Sequence, residues 1–308
     1  MKGLICGRRG FALVLTLVVT ALMVAVAVEL VHQVYVDTSL TRAFRDGQQA
    51  SILAESGIEG GIKLVQTALA IHPNYTSLTD WNQPIKLEDE IGSIEIAVTE
   101  ESGKINLNDV ITADGNFEQT RLAQLKRLGK RLQVPEDNWG ALADWIDTNG
   151  ETRAGGAEDT YYLTQKPPYR AANQPLTTFT ELSLVKGFLP QYLIALRPFV
   201  TVYGLKGAIS KININTAPKE VIVALDDSID DSVASKVDEQ RRLKPFENIG
   251  DVNSRVSGSG ALMGKQAYLG FAGTIFRIIS VARVKETART VEAVVDVGSN
   301  KILSWQEY

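Results

Sequence analysis

The feature that most restricts this chain is a run of eighteen residues without a charge, Phe11 to Val28 (FALVLTLVVTALMVAVAV), preceded by Lys2, Arg8 and Arg9. As a helix it spans roughly 27 Å, enough for a bilayer core once Glu29 and Leu30 reach the interface. Basic residues ahead of such a segment keep the N-terminus on the cytoplasmic side. A buried helix of a soluble fold fits poorly, because it would stand uncapped behind a basic leader. A secretory signal peptide would need a small-x-small cleavage site after the apolar run, which Ala25-Val26-Ala27 imitates.

A third reading fits better. Arg8-Arg9-Gly10-Phe11 followed directly by the apolar helix resembles the type IV prepilin signal. The resemblance implies that a prepilin peptidase cuts between Gly10 and Phe11 and methylates Phe11, so that the apolar helix is retained. Cys6 would leave with the leader, and loss of Lys2, Arg8 and Arg9 would take the net charge from −4 to about −7. Pilin-like proteins mostly carry a Glu at the fifth mature position, which pairs with a neighbouring subunit's N-terminus. Here that position is Leu15. A chain without this carboxylate avoids its cost in membrane but loses the docking contact, which suits a subunit with nothing ahead of it.

Beyond the anchor, Ala50, Leu53, Ala54, Gly57, Ile58, Gly61, Leu64, Val65, Ala68 and Leu69 recur at helical spacing and mark one apolar face. The helix should stop at His72-Pro73. Ala50, Ala54, Gly57 and Gly61 permit close approach by a sheet or by another helix. Ser93 to Val98 alternates as a strand, with Gly103 to Asn108 as its expected continuation; Ile275 to Val284 and Thr290 to Val297 read as two more, joined by a turn over Lys285 to Arg289. The residues between are mostly helical in pattern. Such an order describes an α+β fold: a long N-terminal helix on a small antiparallel sheet, interrupted by a helical insert.

Within the insert, Leu122, Leu125, Leu128 and Leu132 form a stripe among Arg121, Lys126, Arg127, Lys130 and Arg131. Thr178 with Glu181, Pro190 and Thr216 give further helix-start signals, and Asp230 to Arg242 is a polar helix candidate. Lys104 to Asn108 and Lys211 to Asn215 share the pattern K-I-N-h-N, as if the insert were two related halves. Leu184 to Phe188 and Asn213 to Leu225 resemble helix-hairpin-helix segments, which elsewhere hold DNA phosphates. The acidic balance and Asp226, Asp227, Asp230 and Asp231 oppose that use, and helical packing is the better account.

The strongest chemical signal is the loop from Asp147 to Asp159. Asp147, Asn149 and Glu151, with Glu158 at the twelfth position, follow EF-hand spacing, and hard oxygen ligands suit Ca²⁺. Thr152 stands where an EF-hand needs Gly, and Tyr161-Tyr162 with Pro167-Pro168 do not begin an exit helix. The weaker expectation is that these oxygens gather around calcium; a solvated acidic loop is the alternative. With only His32, His72 and Cys6, the chain has little material for a Ser/His/Asp, Cys/His or zinc site.

Taken together, the chain resembles the type II secretion system minor pseudopilin K family, also called general secretion pathway protein K. The likeness lies in Arg9-Gly10-Phe11 with the missing Glu, Lys104 to Asn108, Asp144 to Asp147, Gly156 to Asp159 with Tyr161-Tyr162-Leu163, and Pro168 to Asn173. Glu181-Leu182 with Val185-Lys186-Gly187, Arg197-Pro198 and Ile212 to Ala217 continue it. It implies a leader over 1–10, a transmembrane helix over 11–30 and a pilin-like body over 31–102 and 271–308. A SAM-like or helix-hairpin-helix-like insert would fill 103–270, in halves of about 103–205 and 206–270. It also implies a non-enzymatic subunit of the inner membrane, body periplasmic, later extracted into the pseudopilus. Its partners would be prepilin peptidase and minor pseudopilins I and J, with minor pseudopilin H, the major pseudopilin and exported substrates as further contacts. Together with I and J it would form the tip and help initiate or limit assembly. Calcium in the insert is a family feature that falls by motif on Asp147, Asn149, Glu151, Glu158 and Asp159. Two readings of other classes stand against this: a DNA-uptake binding module, and a membrane-tethered periplasmic hydrolase.

Overall fold

In the computed structural model, which describes residues 8–77, 83–204 and 209–308, the apolar run and the amphipathic segment after it form one continuous helix, α1 (Arg8–Ile71). Nothing in its sequence breaks the hydrogen-bond ladder before Pro73, and His72 N–H still donates to Ala68 O at 2.9 Å. Gly10 to Arg45 are exposed all round, so this stretch is apolar without a protein core to cover it. It is long and apolar enough to cross a membrane. Met1 to Gly7, most of the expected leader, lie outside the described residues.

From Asp46 onward one face of α1 is buried. Ala54, Ile58 and Val65 join a core with the sheet. The glycines show why the approach is so close. A Cβ on Gly57 would come within 2.1 Å of Ser280 Oγ, and one on Gly61 within 2.8 Å of Ile278 Cγ2. Of the two partners their size allows, the sheet is the one present.

After α1 come β1 (Ile85–Glu88) and β2 (Ser93–Glu100), an antiparallel pair. The chain then leaves the sheet. Lys104 to Asn108 does not prolong β2, as its alternation predicts; Ile105–Asn106 forms a short strand β3 that pairs in parallel with β4 (Val200–Thr201). Between them lie α2 (Gln119–Leu132), α3 (Asp137–Ile146), the single turn α4 (Asp159–Tyr162) and α5 (Pro190–Leu196). A second excursion repeats the plan: β5 (Ile212–Asn213) pairs in parallel with β6 (Leu269–Gly270) around α6 (Lys219–Ala224), α7 (Asp231–Leu243), α8 (Ile249–Arg255) and α9 (Gly260–Gly264).

Some start signals misfire. Thr178 makes no cap, and a 3-10 turn follows it, because Glu181 spends its carboxylate on Thr177 and the Trp145 indole. Thr216 is buried, and α6 begins behind Pro218 instead. Asp230 does cap α7, accepting from Val233 N–H at 2.9 Å.

The chain returns to the sheet with β7 (Ile275–Val284), β8 (Thr287–Asp296) and β9 (Lys301–Glu307), giving the order β1-β2-β7-β8-β9, all antiparallel. The β7–β8 turn is only Lys285-Glu286, tighter than the expected five residues. Alternate residues of β7, Phe276, Ile278, Ser280 and Ala282, face α1 and are buried. The edge strands β1 and β9 complete the sheet.

The two parts have separate hydrophobic cores: one under α1, the other within the insert around Ile105, Leu128, Trp139, Tyr162, Val221 and Phe246. Glu100 joins them. This fully buried carboxyl, at the end of β2, accepts from Thr76 Oγ1 at 2.6 Å and from Asn213 Nδ2 at 2.9 and 3.0 Å. Burial pushes its pKa up despite these donors.

Candidate functional site

The acidic loop runs from the C-terminus of α3 to α4. Asp147 caps α3 with extended backbone, its N–H donating to Ala143 O. Its Oδ1 accepts from Asn149 N–H at 3.1 Å, and Asn149 Oδ1 in turn accepts from Glu151 N–H at 2.8 Å. These local bonds turn the first strand of the loop on itself, leaving Asn149 and Glu151 exposed. Asp159 is also committed, to Ala171 N–H and to Arg170, each at 3.0 Å.

The inner wall is built differently. Asp144, one turn before Asp147 on α3, is fully buried. Arg153 reaches back from the loop to bridge both carboxylates: Nη1 donates to Asp144 Oδ1 at 2.7 Å and also to Asp147 Oδ2. Its other arm donates to Gly115 O, and its guanidinium lies 5.1 Å from the Phe117 ring centroid. The close passage of the loop depends on glycine, since a Cβ on Gly140 would meet Ala154 O at 2.4 Å and one on Gly156 would meet Asp144 Oδ2 at 1.9 Å.

Glu158 closes the loop from the other side. It is buried, and its Oε1 has no hydrogen-bond partner. Burial, then the charges of Asp144, Asp147 and Asp159, push its pKa up to about 7. Thus Asp147 and Glu158 lie on the buried side of the loop, whereas Asn149 and Glu151 do not. Among the described residues no three His, Cys, Asp or Glu side chains converge as a metal-ligand set. Arg153 supplies the positive charge between Asp144 and Asp147 in this structure. Spacing alone missed Asp144 and Arg153; the available signal was that Asp144 stands three residues before Asp147, on the same end of a helix.

The helix-hairpin-helix segment at Leu184 to Phe188 also serves this loop. Lys186 Nζ donates to Gly155 O at 3.3 Å and Gly156 O at 2.9 Å, and lies 5.2 Å from the Tyr161 ring centroid. A lysine turned inward in this way holds backbone carbonyls, not phosphates. Gly187, with φ of +84°, makes the bend.

Sequence models of the family described as type II secretion system (T2SS), protein K, match residues 103–205 and 212–270. These segments make up more than half of the chain. The chain belongs to the type II secretion system protein K family. The protein K of Pseudomonas aeruginosa is 30% identical over 203 residues, 64% of this chain and 58% of that protein. The Klebsiella pneumoniae protein K is 30% identical over 224 residues, 68% of this chain and 66% of that protein. Those two matches therefore span less than two thirds of the relatives' own lengths. The Aeromonas hydrophila protein K is 26% identical over 310 residues, covering 94% of this chain and 93% of that protein.

A chain in the crystal structure of the GspK-GspI-GspJ complex from the enterotoxigenic Escherichia coli type 2 secretion system shares the fold. The TM-score is 0.73 and the identity 22%, over 87% of this chain and 99% of that one. The expected α+β architecture, a long helix on a small antiparallel sheet with a helical insert, is therefore that of the family's solved fold. Position 15 of this family member lies on exposed α1 as an apolar Leu, and Gly10 and Phe11 are likewise exposed on the helix.

Proposed function

We propose that the chain is a minor pseudopilin that forms the tip of the type II secretion pseudopilus with minor pseudopilins I and J. It helps initiate or limit assembly, and catalyses no reaction itself. The observation that carries this is membership of the protein K family together with a fold shared with a chain of the GspK-GspI-GspJ complex. In this reading prepilin peptidase cuts between Gly10 and Phe11 and methylates Phe11. Residues 11–30 hold the precursor in the inner membrane, with the body, 31–102 and 271–308, in the periplasm. The insert over 103–270 makes the subunit too broad to be overlaid, and Leu15 offers no carboxylate to a subunit ahead. Coexpression with prepilin peptidase and pseudopilins I and J of the same system tests it. A ternary complex whose K subunit has the mass of a chain starting at methylated Phe11 is expected; elution of the chain alone would sink the assignment.

Calcium is part of the same proposal. The residues present fit a hard divalent ion in charge and donor chemistry. Glu158 Oε1 is a buried carboxyl oxygen without a donor, and among the described residues Asp144, Asp147, Glu158 and Asp159 have only Arg153 and Arg170 as ion-pair partners. Asp144, Asp147 and Glu158 border the place such an ion would take; because these side chains do not converge with Arg153 between them, Arg153 would have to release Asp147 for the ion to bind and offset the repulsion among these carboxylates. Calorimetry of the full chain in detergent should show heat of Ca²⁺ binding and a raised melting temperature, both lost in Glu158→Gln. Absence of both from the wild-type chain would overturn the metal assignment.

A further inference from the structure

Arg153 does more than pair with acids. Its Nη1 donates both to Asp144 Oδ1, at 2.7 Å, and to Asp147 Oδ2, while Nη2 donates to Gly115 O and the Phe117 ring lies beside the guanidinium. One side chain thereby fastens the end of α3, the acidic loop and the turn over residues 112–117. That turn closes on itself, through Thr112 N–H to Asn116 O at 2.8 Å and Gly115 N–H to Thr112 O at 3.0 Å. Arg153 ties it to the acidic loop.

The hold is incomplete. A single positive charge serves Asp144 and Asp147, while Glu158, buried within electrostatic reach of both, receives no donor at Oε1. A divalent ion brings two charges to the same carboxyl groups. The guanidinium also has a way out, since the Arg153 side chain is 18% exposed where those of Asp144 and Asp147 are buried. Its departure would leave the loop in place: Arg153 N–H donates to Asp144 Oδ2 at 3.1 Å, and Lys186 Nζ holds Gly155 O and Gly156 O.

Resting on the calcium reading above, we propose that Arg153 is a resident counter-cation that Ca²⁺ displaces, and that its displacement releases the turn over residues 112–117. The acidic loop is then a latch with two states. Without the ion, Arg153 clamps the turn to Asp144 and Asp147; with it, the guanidinium loses these carboxylates and the turn keeps only its own hydrogen bonds. A cation that must be expelled lowers the apparent affinity for the ion, whereas an arginine that merely positions ligands raises it. The two roles therefore differ in sign.

Calcium titration of the full chain in non-ionic detergent, by calorimetry and by melting, compares wild type with Arg153→Ala and Arg153→Lys. Arg153→Ala should bind Ca²⁺ about tenfold more tightly, and melt below wild type when chelator is present. Lys keeps the charge but cannot bridge two carboxylates and Gly115 O at once, so Arg153→Lys should also bind several-fold more tightly. It decides the matter if Arg153→Ala fails to fold without the ion. Amide exchange over residues 112–117, followed by mass spectrometry, should rise several-fold on adding Ca²⁺ to wild type and be raised already, and indifferent to Ca²⁺, in Arg153→Ala.

Equal or weaker binding by Arg153→Ala, with wild-type binding intact, would overturn the displacement and leave the calcium reading standing. So would an Arg153→Lys variant indistinguishable from wild type, since the gain would then come from net charge alone. Unchanged exchange over residues 112–117 in wild type at saturating Ca²⁺ would overturn the latch. Absence of Ca²⁺ binding from all three chains would overturn the calcium reading and the latch together.

Discussion

The two halves of the insert use one framework and differ in what hangs from it. In the first, Asn106 Oδ1 accepts from Asn108 N–H at 3.1 Å, and the Asn108 amide pairs with both N–H and C=O of Leu176 and with Val202 O. In the second, Asn213 Oδ1 accepts from Asn215 N–H at 3.0 Å, and the Asn215 amide pairs with both backbone groups of Phe246 and with Phe271 O. The K-I-N-h-N echo is therefore a repeated hydrogen-bond device that ties each opening strand to its distant return. What differs is the span it closes, 94 residues in the first half against 56 in the second. Much of the extra length is the acidic loop and its supports. The second half instead uses its first Asn to reach the body, through Thr76 and Glu100. One half carries the added chemistry, and the other carries the joint.

If the two amides are equivalent in geometry, burial should rank their importance. Asn215 is 3% exposed, whereas Asn108 is half-buried. Asn215→Ala leaves the Phe246 N–H and C=O without the Asn215 amide, while Phe271 O keeps its bond from Thr76 N–H, at an expected cost of about 3–4 kcal/mol. Asn108→Ala should cost about 2–3 kcal/mol, because water can reach part of the site. Urea unfolding of the two variants measures this. The reverse order would show that the halves are not held in the same way.

Two glycine turns, one before α5 and one between α8 and α9, offer a milder comparison. Gly187 and Gly258 both have positive φ, +84° and +89°. A Cβ on Gly187 would come within 2.6 Å of Asn138 Oδ1, but on Gly258 the nearest contact is Val233 Cγ2 at 3.3 Å. Backbone strain is common to both, so Gly258→Ala should cost about 1 kcal/mol and Gly187→Ala about 2 kcal/mol. Equal losses would mean that Asn138 yields without consequence.

How far the sequence displays this arrangement depends on how local the determining interactions are. α1, its end at Pro73, the β7 and β8 strands and the leucine stripe of α2 were all legible, since periodicity and proline chemistry act within a few residues. β1 and β9 were not, because edge strands bury little and Lys301 to Glu307 shows no clean alternation. The repeat was visible as letters, but its function lies in bonds to Leu176 and Phe246 that no spacing reveals. At the acidic loop, spacing placed Asp147 and Glu158 on the buried side. It could not show that Asn149 would cap its own backbone, or that Arg153 would reach back to Asp144.

Acid chemistry separates the halves as well. Glu158 in the first half is pushed up to about 7, by burial and then by Asp144, Asp147 and Asp159. Asp226 in the second is drawn down to about 2 by the Ser228 hydroxyl and N–H and by Lys265. The folded state thus holds the Glu158 proton more tightly than the unfolded chain does. Its contribution to stability is complete below pH 4.5 and is lost as pH rises to about 7. Asp226 acts in the opposite sense: its contribution is present above pH 3.8 and is lost as pH falls towards 2. Melting of the full chain between pH 4.5 and 7.5, with chelator present, should therefore show a decline of about 1–2 kcal/mol that Glu158→Gln removes. Asp226→Asn should leave that decline intact and flatten the acid limb alone. A decline that persists in Glu158→Gln would assign it to the other buried acids, Glu100, Asp109 and Asp144, whose pKa values burial also raises. Restoration of the wild-type stability near pH 7 by Ca²⁺, but not that of Glu158→Gln, would place the added chemistry in the first half.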